Sequence, residues 1–363
     1  MKTKLVMVGG FLGAGKTTLL NDIAQKLVGD GYKVGLITND QAPDLVDTAY
    51  LSHGSIPVEE VSGSCFCCNF PGFLNAIDQV QSGRIADILI AEPVGSCTDL
   101  SATIIQPLKE KLSNDLIVSP LSVLTDPLRL REILDGGEDG LHPSAVYIFK
   151  KQLEEADTIV ITKIDLILEE ELNSLIENLQ KLYPGVKIFP LSVERDKGIR
   201  EWLNYALNET KSGQKLAEVD YDIYAEGEAV LGWLNATYQI QTKEKVDWKQ
   251  ILENYMIKIS QEFENRKSAI GHIKILIESQ NQFLIGNLTG SQKTLRIRGN
   301  HPDSESLKIT LNFRVQMIPA LLEEIVKNSL TDFLPPASSQ EPLSWSCFSP
   351  ARPEPSYRFD SLR

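Results

Sequence analysis

One octapeptide constrains this fold more than any other stretch. Residues 10–17, written GFLGAGKT, match the pattern G-x-x-x-x-G-K-[ST]. They lie between an apolar run, Lys4–Val8, and an amphipathic segment, Thr17–Val28. Glycines let backbone N–H groups converge on phosphate oxygens, and the first turn of a helix adds partial positive charge. This strand–loop–helix context predicts a phosphate-binding loop rather than an ordinary glycine-rich turn.

Two side chains of this loop are expected to do the chemistry. Lys16 is placed to reach the β- and γ-phosphates of a nucleotide, and the hydroxyl of Thr17 is placed to ligate Mg²⁺. The other candidate nucleotide-binding residues in the loop are Gly10, Gly13, Ala14, Gly15 and Thr18. The expected reaction is attack of water on the γ-phosphate, with Lys16 and loop amides stabilising the developing charge.

The first two hundred residues alternate short apolar runs with amphipathic segments. This rhythm is typical of a mostly parallel sheet with helices on both faces. The predicted strands are Lys4–Val8, Val34–Thr38, Ile56–Val61, Asp87–Ala91, Leu116–Leu124, Thr158–Ile161 and Val186–Pro190. We therefore predict an α/β fold, a P-loop NTPase domain, over residues 1–210.

The rhythm changes after a polar stretch, residues 211–220, which we predict to be a linker. Beyond it, predicted strands follow one another without a helix after each one, beginning with Glu228–Ile240. This pattern indicates a smaller α+β domain over residues 221–334. Six of the 18 prolines lie in residues 335–363, so this tail is predicted to be disordered.

Composition argues against two classes of partner. The 363 residues carry a formal net charge of -13, whereas a nucleic-acid binder needs a basic face to displace counterions. No apolar run approaches the length of a membrane span. The first apolar run is too short for a signal peptide and leads into the glycine-rich loop, so we expect a cytoplasmic protein.

A tetrapeptide after a predicted strand indicates which base is bound. Thr162-Lys163-Ile164-Asp165 follows the run Thr158–Ile161. An ionised Asp165 can accept hydrogen bonds from N1–H and the 2-amino group of guanine. Adenine lacks both donors and would leave the carboxylate unpaired, at a cost of about 1–3 kcal/mol. The stem of Lys163 would cover the face of the base. The alternative is a Lys–Asp pair on the surface.

Two further acidic positions follow predicted strands. Glu92, in the sequence AEPVG, suits a ligand of Mg²⁺, either direct or through water, and the N–H of Gly95 would face the γ-phosphate. Asn39-Asp40 follows the second strand and is the candidate switch, which makes Asp40 a catalytic candidate beside Lys16 and Glu92. The alternative for Glu92 is an acid at a helix N-terminus.

Three of the five cysteines, Cys65, Cys67 and Cys68, fall within four positions. Thiolates are soft ligands that favour Zn²⁺ or Cu⁺, and a fourth ligand would be Glu60, Asp40 or water. Two alternatives remain. The thiols can be small buried hydrophobic groups, or Cys65 and Cys68 can form a redox pair with C-x-x-C spacing.

The position of the cluster in the predicted fold adds a further expectation. The cluster follows a predicted strand, and ligands of open α/β sheets bind at the carboxyl ends of the strands. The thiols should therefore lie near Glu92 and the phosphate loop. Cys97, five residues after Glu92, is expected to be a packed residue at a helix start.

These motifs, in this order, resemble the CobW/UreG/HypB group of GTPases, and the CobW-like metallochaperones most closely. The matching stretches are GGFLGAGKTTLL, TND, EEVSGSCFCC, IAEPVG, EEADTIVITKIDL and FPLSVERDKGIREWL, which lie within residues 3–207. The last of these stretches resembles the final base-contacting loop of the group, with Ser192 at the key position.

The resemblance implies a GTPase that uses GTP, GDP and Mg²⁺ and forms a homodimer, at least transiently. It implies that Zn²⁺ or Co²⁺ binds at the C-x-C-C motif, with Cys65, Cys67, Cys68 and Glu60 as the candidate ligands. The implied function couples the GTP state to metal delivery to a client metalloprotein or to cobalamin-related cofactor assembly. The alternative is a GTPase chaperone of a cobalamin-dependent enzyme that delivers no metal.

Overall fold

A computed structural model describes most of the chain. The described residues are 2–43, 45–54, 56–83, 86–242, 246–279, 282–290, 295–300, 302, 304–335 and 338–363. Among these residues, no helix has the length and apolar character needed to cross a membrane.

The described part of the first domain contains a parallel sheet of eight strands. The strands are β1 (Thr3–Gly10), β2 (Val34–Asn39), β3 (Val58–Val61), β4 (Ile88–Glu92), β5 (Leu116–Val118), β6 (Ser122–Thr125), β7 (Thr158–Ile161) and β8 (Lys187–Pro190). Their order is β3-β2-β4-β1-β6-β7-β8, and β5 pairs with β1 beside β6. The predicted α/β fold with a mostly parallel sheet is confirmed.

Helices cover both faces of this sheet. They are α1 (Lys16–Gly29), α2 (Val46–Ser52), α3 (Phe70–Gly83), α4 (Gln106–Leu112), α5 (Pro127–Leu134), α6 (Pro143–Glu155), α7 (Glu169–Leu182) and α8 (Ile199–Asn208). Side chains alternate along a strand, so β1 contributes residues to the hydrophobic cores on both faces of the sheet. Leu5 and Met7 join the core under α3, α6 and α7, whereas Val6 and Val8 join the core under α1 and α8.

The single strand predicted over Leu116–Leu124 is two strands. β5 pairs with the first half of β1, and β6 pairs with its last residues, Val8–Gly10. Pro120 lies between β5 and β6 and has no N–H to donate to a ladder, so continuous pairing stops there.

In its described residues, the second domain is an antiparallel sheet of six strands with three helices. Its elements are α9 (Tyr221–Ala229), β9 (Gly232–Gln241), α10 (Trp248–Asn265), β10 (Ile270–Glu278), β11 (Phe283–Thr289), β12 (Arg296–Gly299), β13 (Ser306–Val315), α11 (Pro319–Phe333) and β14 (Ser339–Phe348). The strand order is β12-β11-β10-β13-β9-β14, which confirms the separate α+β domain. The strand predicted to begin at Glu228 begins at Gly232 instead, because Glu228 lies in α9.

The prediction of a disordered C-terminal tail is wrong for residues 339–348. These residues form β14, which pairs antiparallel with the edge strand β9. The pairing has an irregularity between Pro342 and Ser344, where an edge strand can accommodate a proline. Composition missed the strand because the partner that orders it lies about a hundred residues earlier in the chain.

The stretch between the domains contains no helix or strand over residues 209–220, but it is held in place. The carboxylate of Asp157 accepts hydrogen bonds from the N–H groups of Gly213 and Gln214, at 2.6 and 2.8 Å. Helix α9 then packs closely on α6, since a Cβ added at Gly227 would lie 2.5 Å from the carbonyl oxygen of Ser144. The second domain is thereby fastened to the first.

The two faces of the second sheet have different neighbours. One face packs on α10 and α11 in a hydrophobic core. The other face lies over the first domain, where a Cβ added at Gly13 would lie 3.0 Å from Thr289 of β11. The phosphate loop therefore lies under the second sheet.

Candidate functional site

A cavity separates the phosphate-loop edge of the first sheet from the overlying second sheet. Most of the predicted nucleotide-site residues line it: Gly13, Gly15, Lys16, Thr17, Thr18, Asp40, Glu92, Gly95, Thr162, Lys163 and Asp165. The second sheet adds residues that no motif indicated: His272, Lys274, Asn287, Thr289, Arg296, Arg298 and Arg314. Several of these are cationic and face carboxylates of the first domain, since Lys274 lies 2.6 Å from Asp47 and Arg314 lies 2.7 Å from Asp40.

The phosphate loop has the backbone that its motif requires. β1 ends at Gly10, α1 begins at Lys16, and Gly10, Gly13 and Gly15 have φ values of 128°, 82° and 89°. These positive values favour glycine. At Gly10 the requirement is also steric, because an added Cβ would lie 2.3 Å from the carbonyl oxygen of Leu124. The predicted strand–loop–helix context is confirmed.

Lys16 is buried and turned into the loop. Its Nζ donates to the carbonyl oxygen of Gly10 at 2.8 Å and lies 3.9 Å from Oε1 of Glu92. Burial lowers the pKa of Lys16, and the charge of Glu92 opposes that shift. A Cβ added at Gly95 would lie 3.1 Å from this Nζ, so a glycine at position 95 leaves room for the ammonium group.

Thr17 and Glu92, the predicted Mg²⁺ ligands, are in contact. The hydroxyl of Thr17 lies 3.2 and 3.1 Å from the two carboxylate oxygens of Glu92. Burial raises the pKa of Glu92 to about 7, and the nearby charge of Asp47 adds to this effect. A hydroxyl and a buried carboxylate together are oxygen donors of the kind that Mg²⁺ prefers. The donor set therefore fits the ion.

The predicted base-recognition residues are brought together at the far end of the cavity. The hydroxyl of Ser192 donates to Oδ1 of Asp165 at 2.5 Å, so two of the residues predicted to bind the base contact each other. Lys163 has a left-handed φ of 50°, and its Nζ donates to the carbonyl oxygen of Gly13 at 2.7 Å. The hydroxyl of Thr162 donates to the carbonyl oxygen of Ala14 at 2.7 Å. The base loop is thus attached to the phosphate loop.

The second domain reaches this end of the cavity as well. The guanidinium of Arg296 lies 3.4 Å from Oδ2 of Asp165, and that of Arg298 lies 3.3 Å from the hydroxyl of Thr18. No sequence motif indicated these arginines, because they lie in β12 of the second domain, outside every nucleotide-binding motif. Only the placement of the second sheet brings them here.

The two switch residues hold other parts of the protein. Asn39 donates to the carbonyl oxygens of Val61 and Ser64, at 2.8 and 2.9 Å, and accepts from the N–H of Phe66. It therefore positions the loop that carries the cysteines. Asp40 accepts from Arg314 at 2.7 Å, so in this structure its carboxylate joins the two domains, and its catalytic role stays a prediction.

The three clustered thiols converge on one point. The Sγ atom of Cys65 lies 3.0 Å from that of Cys67 and 3.1 Å from that of Cys68, and the latter two sulfurs are 3.8 Å apart. A tetrahedral Zn²⁺ site with bonds of about 2.3 Å separates its sulfurs by about 3.8 Å. The thiol donors therefore fit a Zn²⁺-sized ion after a small expansion.

The thiols differ in burial and acidity. Cys65 and Cys67 are buried, while Cys68 is half-buried. Hydrogen bonding between Cys65 and the thiols of Cys67 and Cys68 holds the pKa of Cys65 well below its usual range. The same bond to Cys65 raises the pKa of Cys68 to about 12. A cysteine with a lowered pKa ionises more readily and so binds a soft cation more readily.

The predicted carboxylate ligand, Glu60, is not brought into this group. Among the described residues, the ligand atoms that all lie within 4.8 Å of one another belong to Cys65, Cys67 and Cys68. Val61 packs into the core beside the cysteines, and side chains alternate along a strand, so the preceding Glu60 faces away from Val61.

Two neighbours of the cluster were not expected. The first is Cys97, which is buried in the same hydrophobic core as Cys65 and Cys67. The second is the C-terminal tail. The N–H of Glu354 donates to Sγ of Cys68 at 3.2 Å, and the N–H of Ser356 donates to the carbonyl oxygen of Cys67 at 2.8 Å.

A parallel sheet with this loop, lysine and Mg²⁺-type donor pair defines a P-loop nucleotide-binding domain. A model of the nucleotide-binding domain of the CobW/HypB/UreG family matches residues 4–190. The chain therefore belongs to this family, and the predicted P-loop GTPase domain of the family is confirmed.

Curated relatives resemble the chain over part of their length. The zinc chaperone YjiA of Escherichia coli (strain K12) is 26% identical over 198 residues, which cover 52% of this chain and 57% of the relative. The zinc-regulated GTPase metalloprotein activator 1 of Dictyostelium discoideum is 23% identical over 245 residues, which cover 59% and 50%. The chain thus spans about half the length of the curated relatives it matches.

Solved structures resemble the chain at lower identity. HypB from Helicobacter pylori, solved in complex with nickel, has a TM-score of 0.43 and 20% identity and covers 57% of this chain and 87% of its own. Zn(II)-bound YjiA GTPase from E. coli has a TM-score of 0.36 and 17% identity and covers 92% and 100%.

Proposed function

We propose that this protein binds and hydrolyses GTP and carries a divalent metal ion, Zn²⁺ or Co²⁺, as cargo on Cys65, Cys67 and Cys68. The observation that carries the proposal is the link between the thiols and the nucleotide cavity. Asn39 lines that cavity, and its side chain also fixes the loop that presents the cysteines. A change at the nucleotide can therefore reach the metal through one side chain.

The nucleotide half of the proposal assigns a role to each contact in the cavity. Lys16 would neutralise phosphate charge, and Asp165, positioned by Ser192, would select guanine. Thr17 and Glu92 would hold Mg²⁺, which supplies positive charge beside the transferred phosphoryl group. Arg296 and Arg298 of the second sheet, beside Asp165 and Thr18, would contact the nucleotide from above.

The metal half rests on the donor chemistry and on the names of the relatives. Three convergent thiols suit Zn²⁺ or Co²⁺ better than a hard ion such as Mg²⁺. The named relatives are a zinc chaperone and a zinc-regulated GTPase metalloprotein activator. We propose delivery of the ion to a client metalloprotein or to a protein of cobalamin-related cofactor assembly.

Titration with Co²⁺ and Zn²⁺, with and without a non-hydrolysable GTP analogue, tests the proposal. Wild type should bind one ion per chain through thiolates, with an affinity that depends on the analogue. A variant with Cys65, Cys67 and Cys68 all changed to Ser should lose this binding. The matched control is Cys347→Ser, a change at a half-buried cysteine in β14, which should bind as wild type does.

Two results would contradict the proposal. Unchanged metal affinity in the triple variant would remove the metal role. Phosphate release from ATP at the same rate as from GTP would remove the role of Asp165 in choosing the base.

A further inference from the structure

A row of three side chains crosses the face of the second sheet that lies over the nucleotide cavity. Thr289 of β11, His272 of β10 and Arg314 of β13 stand directly opposite one another in the antiparallel register. Opposed residues of an antiparallel pair lie on the same face of the sheet. All three of these residues line the cavity.

The two ends of this row are fixed on the first domain. Thr289 lies against the phosphate loop, since a Cβ added at Gly13 would lie 3.0 Å from its side chain. Arg314 is paired with the carboxylate of Asp40 at 2.7 Å. His272, between these two residues, therefore lies above the space between the phosphate loop and the residue that follows β2.

The order of the strands shows which part of a nucleotide this space would receive. Strand β12 lies at the base-recognition end of the cavity, where Arg296 is 3.4 Å from Asp165. Strands β10 and β13 lie further along the sheet, away from that end. Beside His272, Gly271 packs on the phosphate loop, since a Cβ added there would lie 3.0 Å from the side chain of Leu12. His272 therefore faces the phosphate end of the cavity rather than the base end.

The imidazole of His272 has a buried nitrogen that is free to bind a ligand. The residue is 7% exposed, and its Nε2 has no hydrogen-bond partner among the described residues. Burial, together with the charges of Lys274 and Arg314, holds the pKa of His272 well below its usual range, so the ring is neutral and can donate one N–H. A buried polar atom without a partner is costly, and a phosphate oxygen would satisfy it.

We propose that Nε2 of His272 donates a hydrogen bond to an oxygen of the γ-phosphate, so that the second domain supplies a contact that distinguishes GTP from GDP. The proposal rests on the proposed function. GTP satisfies the buried nitrogen, whereas GDP lacks the γ-phosphoryl group and leaves the nitrogen without a partner. The contact therefore holds the second sheet against the nucleotide only while GTP is bound.

Equilibrium binding of GDP and of a non-hydrolysable GTP analogue to the full chain, with Mg²⁺ present, tests this contact. His272→Ala should weaken binding of the analogue about 10- to 100-fold, as expected for a lost hydrogen bond to a charged group, and should leave the affinity for GDP unchanged. His272→Gln, whose amide nitrogen can take a position close to that of Nε2, should recover most of the lost affinity.

The matched control is His53→Ala. His53 lies 2.9 Å from the carboxylate of Glu278 and is not among the described residues that line the cavity. The control should bind both nucleotides as wild type does. Unchanged GDP affinity in His272→Ala also establishes that this variant is folded.

The outcomes separate this inference from the proposed function. If wild type binds both nucleotides and His272→Ala weakens both equally, or weakens neither, the contact with the γ-phosphate is refuted while GTP binding stands. If His272→Gln binds the analogue no better than His272→Ala, the side chain fills space rather than donating a hydrogen bond, and the inference is again wrong. If wild type binds neither guanine nucleotide, the proposed function itself fails.

Discussion

Arg314 of the second domain and Asp40 of the first domain form a buried ion pair. The guanidinium of Arg314 lies 2.7 Å from Oδ2 of Asp40, and the two side chains are 1% and 3% exposed. The pair connects β13 of the second domain to the residue that follows β2 of the first. It therefore lies where the second sheet meets the edge of the nucleotide cavity.

Replacement of Arg314 by Met should lower the free energy of unfolding by about 3–5 kcal/mol, because a buried charge is left without its counter-ion. The carboxylate of Asp40 would keep the amide of Asn235, at 2.8 Å, and the N–H of Gln41, at 2.9 Å. Neutral donors cannot replace a cation in a buried site. The double change Arg314→Met with Asp40→Asn should recover part of the loss, since no unpaired charge remains.

Urea-induced unfolding, followed by circular dichroism, measures these differences. The matched control is Arg200→Met, because Arg200 pairs with Asp30 at 2.8 Å but the two side chains are 62% and 39% exposed. That change should cost about 0–1 kcal/mol. If Arg314→Met costs no more than Arg200→Met, or if the double change is as damaging as the sum of the single changes, the reasoning from burial is refuted.

Two further predictions concern the tail and a buried acid. Residues 349–363 cover Cys68, so their removal should speed its alkylation about fivefold, as expected when a local opening of about 1 kcal/mol is no longer needed. Hydrogen bonding with Cys65 raises the pKa of Cys68 and the N–H of Glu354 opposes this rise, so the rates are compared per thiolate, and removal of 361–363 alone should leave the rate unchanged. Burial raises the pKa of Glu155 from 4.5 to about 8. Between these two pH values the folded state holds a proton that the unfolded state has lost. The resulting contribution to the free energy of unfolding is complete below pH 4.5 and is lost as the pH rises through 8. Glu155→Gln should therefore lose less stability than wild type between pH 5 and 9, by up to about 4 kcal/mol, and parallel stability–pH curves would contradict this.

The sequence predicted those parts of the fold whose signals are local. The apolar runs placed the parallel strands, and the octapeptide placed the phosphate loop between β1 and α1. Composition failed where order comes from a distant partner. Strand β14 looked disordered, although β9 provides the edge on which it forms. Glu228 looked like the start of a strand and lies in a helix that packs on α6.

The candidate site also has parts that local sequence signals predicted and parts that only the tertiary structure placed. The sequence by itself predicted the nucleotide loop, Asp165 and the three thiols, because each motif is a short run whose residue types carry its chemistry, and the family resemblance added Ser192, which the structure places against Asp165. The tertiary structure decided what surrounds them. It left Glu60 out of the thiol group, buried Cys97 in the same core as that group and placed the second sheet over the phosphate loop. These contacts join residues that are far apart in the sequence, so no local sequence pattern could predict them.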